Sequence, residues 1–152
     1  MTVRDIELKF EKSEIINVYG YPTSKITQND KTYPLQIISY LRVIPQWDII
    51  EKWIEVINID KKNFIRIENL QSPSINLPAD AYELNYVSGY WAHEYQPQVN
   101  LLTPGVKTLQ VKDFKSYGIP AFIVGKSNTI EDTSGASWFG SLQYSGNWRI
   151  MN

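Results

Sequence analysis

Apolar and polar residues alternate with a period of two at several places along this chain, and that period predicts strands. Ile6, Leu8 and Phe10 alternate with Glu7, Lys9 and Glu11, so the chain opens on a half-buried strand. Glu14 to Tyr19 is a second apolar stretch, closed by Gly20-Tyr21-Pro22. The polar segment 23–32, with Gln28-Asn29-Asp30-Lys31, has the composition of a turn joining it to the next apolar stretch. Leu35 to Ile44 is too apolar and β-branched for an edge and predicts a strand covered on both faces.

The segment 46–57 carries two periods at once. Trp47, Ile50, Ile54 and Ile57 form one helical stripe, while Trp53 to Ile59 also reads as a strand. The turn-forming Asp60-Lys61-Lys62-Asn63 and the apolar arm Phe64 to Glu68 favour a hairpin over 53–68, preceded by a helical turn at 46–51. Leu70 to Asp80 holds Pro73 and Pro78 and reads as a surface connection, with a short extended piece at Ile75 to Leu77.

Beyond it, Tyr82 to Tyr90 alternates again and runs into the densest aromatic cluster, Tyr86, Tyr90, Trp91, His93 and Tyr95. Val106 to Val111 and Ala121 to Val124 predict short strands separated by a bend at Gly118-Ile119-Pro120, and Glu131 to Ala136 predicts a polar loop. In the tail, Trp138 to Tyr144 and Asn147 to Met151 flank Ser145-Gly146, the pattern of a hairpin with a two-residue loop. These elements predict a mainly β fold, an antiparallel barrel or sandwich built from hairpins with room for one short helix. The segment 70–80 is too short to separate domains of consequence, so a single domain over 1–152 is expected.

Composition narrows the chemistry. The chain has 20 aromatic residues (5 Trp, 10 Tyr and 5 Phe) but one histidine and no cysteine. Thiolate nucleophiles, disulfides, cysteine-based zinc sites and multi-histidine metal centres are therefore excluded. Fifteen basic against sixteen acidic residues give a net charge of −1, and no basic stripe suited to tracking phosphates is visible, so no nucleic-acid partner is expected. The first residues lack a signal-type apolar core, and no apolar run approaches the ~20 residues of a membrane span. The expectation is a cytoplasmic protein, or a virion component assembled in a host cytoplasm.

Each candidate catalytic motif meets a stronger structural explanation. Gly125-Lys126-Ser127 lacks the glycine of a phosphate-binding loop, which would stand where Pro120 is, and reads as a strand end. His93-Glu94 has no second histidine, although His93 with Glu94, Asp80 or Glu83 would be the pair available to a minimal hydrolase. Asp48 and Asp60-Lys61-Lys62 offer a nuclease-like set, but Asp60 sits in a predicted turn. Ser134, Ser137, Ser141 and Ser145 fall in no nucleophile elbow, and Glu131-Asp132 alone is weak for calcium.

Trp and Tyr supply large contact area at low entropic cost, and they stack on sugars and bases. Tyr86, Tyr90, Trp91, His93 and Tyr95 are accordingly the expected binding or interface residues, with no catalytic residue, metal or cofactor. The leading expectation is a non-enzymatic structural or assembly subunit of a larger homo-oligomeric or heteromeric complex, such as a phage virion or tail component. The alternative is a small-molecule or carbohydrate-binding β-barrel using these rings as a stacking platform.

Overall fold

A computed structural model describes residues 6–70, 74, 76–78, 80–106, 108–111, 121–126, 136–143 and 148–151. The chain divides into two compact units, residues 1–76 and 77–152, with the division inside the proline-bearing segment 70–80. The fold is antiparallel β, as the alternation predicts, and among the described residues no sheet closes into a barrel. The helical element among the described residues is a single 3₁₀ turn, Pro45–Trp47, shorter than the helical turn expected over 46–51, because a strand begins at Ile49. No helix among the described residues is long and apolar enough to cross a membrane.

The first unit is a four-stranded meander, β1 (Leu8–Val18), β2 (Tyr21–Asp30), β3 (Leu35–Ile44) and β4 (Ile49–Asn58), paired in that order. Tyr19 (φ 51°) and Gly20 (φ 87°) join β1 to β2, both at positive φ, the backbone of a type I′ turn whose twist matches the flanking strands. The Gly20 N–H donates to Asn17 Oδ1 at 2.9 Å. Asp30 organises the β2–β3 turn, its carboxylate accepting the N–H groups of Glu7 (2.7 Å), Thr32 (2.8 Å) and Tyr33 (2.7 Å). Those bonds, the Tyr33 N–H foremost, hold its carboxyl below the usual aspartate range.

Segment 23–30 is therefore strand β2 and not the turn its polarity suggests. Thr23 and Thr27 are buried polar residues, and a polar strand of this kind is fixed by its neighbours on both sides. The predicted hairpin over 53–68 is also corrected. Residues 53–58 belong to β4, which pairs with β3 across the 3₁₀ turn, and the described residues after 58 form no strand until Tyr82. Pro45 fixes the backbone at the start of that turn and Asp48 leaves it at φ 51°. β3 lies inside the sheet and is no edge, as its composition predicts, but it is not covered on both faces, since Leu41 and Val43 are exposed.

Register sorts the sheet of this unit into two unlike faces. One carries the cross-strand rows Glu14, Lys25, Tyr40, Trp53 and Ile16, Thr23, Arg42, Glu51. Tyr40 and Trp53 stack with ring centroids 4.8 Å apart and planes 7° from parallel. The other carries Phe10, Ile15, Ile26, Leu41, Val43 and Ile50, all exposed.

The second unit holds a four-stranded sheet in the order β6-β5-β8-β9, from β5 (Tyr82–Tyr90), β6 (His93–Leu102), β8 (Ala121–Lys126) and β9 (Ser137–Ser141). A two-stranded sheet pairs β7 (Thr108–Val111) with β10 (Trp148–Met151). Tyr82, Leu84 and Val124 are the buried centre, and Leu109 of β7 packs on them with Tyr86, Phe122 and Trp138, so the two sheets layer as in a sandwich. Trp138 meets Tyr82 edge to face at 5.7 Å, and the Tyr82 hydroxyl donates to the Pro78 carbonyl at 2.8 Å. The arms of the expected tail hairpin do not pair with each other. β9 pairs with β8 and β10 with β7, so long-range partners override a local turn signal. The Ser145-Gly146 loop, like the bend at 118–120 and most of the loop 131–136, lies outside the described residues.

Candidate functional site

The candidate site is the tip of the β5–β6 hairpin. Tyr90 and His93 oppose each other across the loop Trp91-Ala92, and Ala92 takes φ 65°. The Glu94 Oε1 accepts the Ala92 N–H at 2.9 Å and braces this turn, which has no glycine to make it easy. Ser88 pairs with Gln96 and Tyr90 with His93, so Glu94 and Tyr95 together oppose Gly89. This is a β-bulge, a device that re-aims side chains at sheet ends.

Gly89 is the residue that permits it. A Cβ there would collide with the His93 carbonyl oxygen and lie 2.8 Å from the Glu94 Cα. Tyr95 takes φ 58°, a conformation that costs a non-glycine residue roughly 1 kcal/mol or more. Tyr90, Trp91 and Tyr95 are exposed, Trp91 by 77%. The rings of Tyr90 and His93 lie 5.1 Å apart at 31°.

Beside these rings is an open depression of about 380 Å³, lined by Ser88, Gly89, Tyr90, His93, Gln96, Pro97 and Gln98. Its lining carries a hydroxyl, two side-chain amides, a phenol and an imidazole, but no carboxylate, lysine or arginine. The Gln96 Nε2 donates to the Glu94 carbonyl at 3.0 Å, which fixes that amide in place. A surface of this kind can stack on an apolar ring face and exchange neutral hydrogen bonds. Among the described residues no group of three or more His, Asp or Glu is placed to hold a metal ion.

The structure brings Tyr90, Trp91, His93 and Tyr95 together at one tip and sets Tyr86 apart. The Tyr86 ring packs against the Tyr82, Leu84 and Val124 core and its hydroxyl accepts from Asn100 Nδ2 at 2.9 Å. Sequence patterning does not single out Ser88, Gln96 and Gln98, because it does not predict β6. The register of β6 with β5 puts Ser88 opposite Gln96 and Tyr86 opposite Gln98 on one face, and only pairing reveals that.

The other motifs resolve structurally. Gly125 and Lys126 lie within β8, where Gly125 pairs with Glu83 and Ser137, so they form no phosphate-binding loop. Ser137 and Ser141 belong to β9, while Ser134, Ser145 and Glu131-Asp132 lie outside the described residues. Asp60 accepts from Asn63 Nδ2 at 2.7 Å and from the Lys62 N–H at 2.8 Å, which is turn architecture and holds its carboxyl below the usual range.

The family model for the glycosyl hydrolase family 36 N-terminal domain matches residues 4–151. No curated protein matches the chain. The family match overturns the expectation of a structural assembly subunit and of a virion or tail component, because it places the chain in a carbohydrate-active enzyme family. Glycosidic bond cleavage ordinarily needs two carboxylates flanking the bond, and the lining of the depression supplies neither. A depression without that pair suits a scaffold, and it suits equally a domain that accompanies catalytic residues located elsewhere.

Proposed function

The chain belongs to the glycosyl hydrolase family 36 N-terminal domain family, and from that premise we infer that it is a non-catalytic saccharide-binding domain of a glycosidase. The β5–β6 tip is the binding platform. One observation carries the reading: exposed Tyr90 and His93 line a depression of neutral hydrogen-bonding groups, on a hairpin tip that also exposes Trp91 and Tyr95. Hydroxyl-rich, uncharged rings match such a lining, since each sugar has an apolar C–H face to stack and hydroxyls to pair with Ser88, Gln96 and Gln98. The volume lies near the small end of the roughly 300–1,000 Å³ typical of ligand sites, which suits one or two sugar rings.

Isothermal titration with a panel of neutral oligosaccharides of gluco, galacto and manno configuration tests this directly. Saturable binding is expected for at least one, and Trp91→Ala should weaken it about tenfold or more. Absence of saturable binding across the panel at millimolar ligand would overturn the proposal.

A further inference from the structure

Exposed aromatic rings on strained turns occur a second time, in the other unit. Tyr19 is 90% exposed and occupies the first position of the β1–β2 turn at φ 51°, where glycine or asparagine is the unstrained choice. A bulky residue held there gains nothing from burial. It is nonetheless built in: the Arg42 guanidinium carbon lies 5.4 Å from the Tyr19 ring centroid and 5.5 Å from that of Trp53. Arg42 is fixed in turn by paired contacts to the Glu51 carboxylate and by a bond to the Val18 carbonyl at 3.4 Å.

In a meander the β1–β2 and β3–β4 turns lie at the same end of the sheet, and here the Gln46 side chain donates to the Tyr21 hydroxyl to tie them together. That end therefore also presents Trp47, 64% exposed, beside Asp48 at φ 51°. We propose that Tyr19 and Trp47 form a second contact surface for a neutral saccharide, separate from the β5–β6 tip. The ligand class follows from charge and shape. Glu51 neutralises Arg42, which leaves two exposed aromatic rings at the sheet end that also carries Gln46 and Asp48, suited to hydroxyl donors and acceptors and not to an anion. The choice of saccharide rests on the function proposed above, whereas the surface itself rests on residues of the other unit.

Labelling with 5-fluorotryptophan separates the two surfaces, since the five tryptophans give individual ¹⁹F resonances that Trp→Phe variants assign. During titration with the neutral oligosaccharide panel, the Trp47 resonance is expected to shift saturably. Tyr19→Ala should weaken that response about tenfold, and Tyr19→Phe should preserve it, with the Trp91 response unchanged in both. A responding Trp91 with a silent Trp47 overturns the second surface and leaves the first. A responding Trp47 with a silent Trp91 does the reverse. A Trp47 response to tetramethylammonium but to no saccharide, or one indifferent to Tyr19→Ala in a variant that melts normally, also overturns the proposal.

Discussion

Gly89 faces Glu94 backbone to backbone across the β5–β6 pair, so closely that a methyl group at Gly89 would lie 2.8 Å from the Glu94 Cα. The bulge that exposes Tyr95 depends on this approach. Gly89→Ala is expected to destabilise the second unit by about 1–3 kcal/mol through overpacking, and to shift the Trp91 environment as the bulge is displaced. Thermal melts followed alongside tryptophan emission would show both, and an unaltered melt with unaltered emission would contradict the contact.

Trp91 should behave in the opposite way. Because it is an exposed loop residue, Trp91→Ala should change stability by no more than about 0.5 kcal/mol while saccharide affinity falls. A large loss of stability in chemical denaturation would place the ring in a core.

Tyr40 and Trp53 form a nearly parallel stack between neighbouring strands. Burial, followed by the nearby Glu55 carboxylate, pushes the Tyr40 hydroxyl pKa upward, so it stays protonated well into the alkaline range. A double-mutant cycle with Tyr40→Ala and Trp53→Ala should return a coupling of about 0.5–1.5 kcal/mol. Additive effects would mean that the stack contributes only its area.

Asp30 links stability to pH. Its folded carboxyl is depressed by the Tyr33, Thr32 and Glu7 N–H groups, so the unfolded chain binds the proton more readily. The contribution is fully present above the ordinary aspartate value of about 3.9 and is lost as pH falls through the lower folded value. Melting temperature measured from pH 6 down to pH 2 should decline through that window. Asp30→Ala should melt lower than wild type at pH 6 and converge with it at the acid end.

Glu14 and Lys25 oppose each other across β1 and β2, with Nζ to Oε1 at 3.1 Å. Each shifts the other toward its charged form, Glu14 downward and Lys25 upward. The pair is partly exposed and screened by solvent, so Lys25→Met should leave the melting temperature nearly unchanged at high salt and lower it slightly at low salt.

The sequence by itself determined the β class, the interior place of Leu35–Ile44, the strand at Tyr82–Tyr90 and the aromatic crowding around Trp91. Those come from period-two alternation and from side-chain chemistry, which are local properties. Pairing is not local. Residues 23–30 are polar and became a strand because β1 and β3 supply partners on both sides. Trp138 and Trp148 resemble the arms of a hairpin, yet join different sheets because β8 and β7 lie beside them in space. Tyr86 and Tyr90 look alike in sequence, but one ring packs in the core and the other is exposed at the tip. Only the tertiary structure could decide these, since a strand's hydrogen bonds and a ring's burial are set by residues far away along the chain.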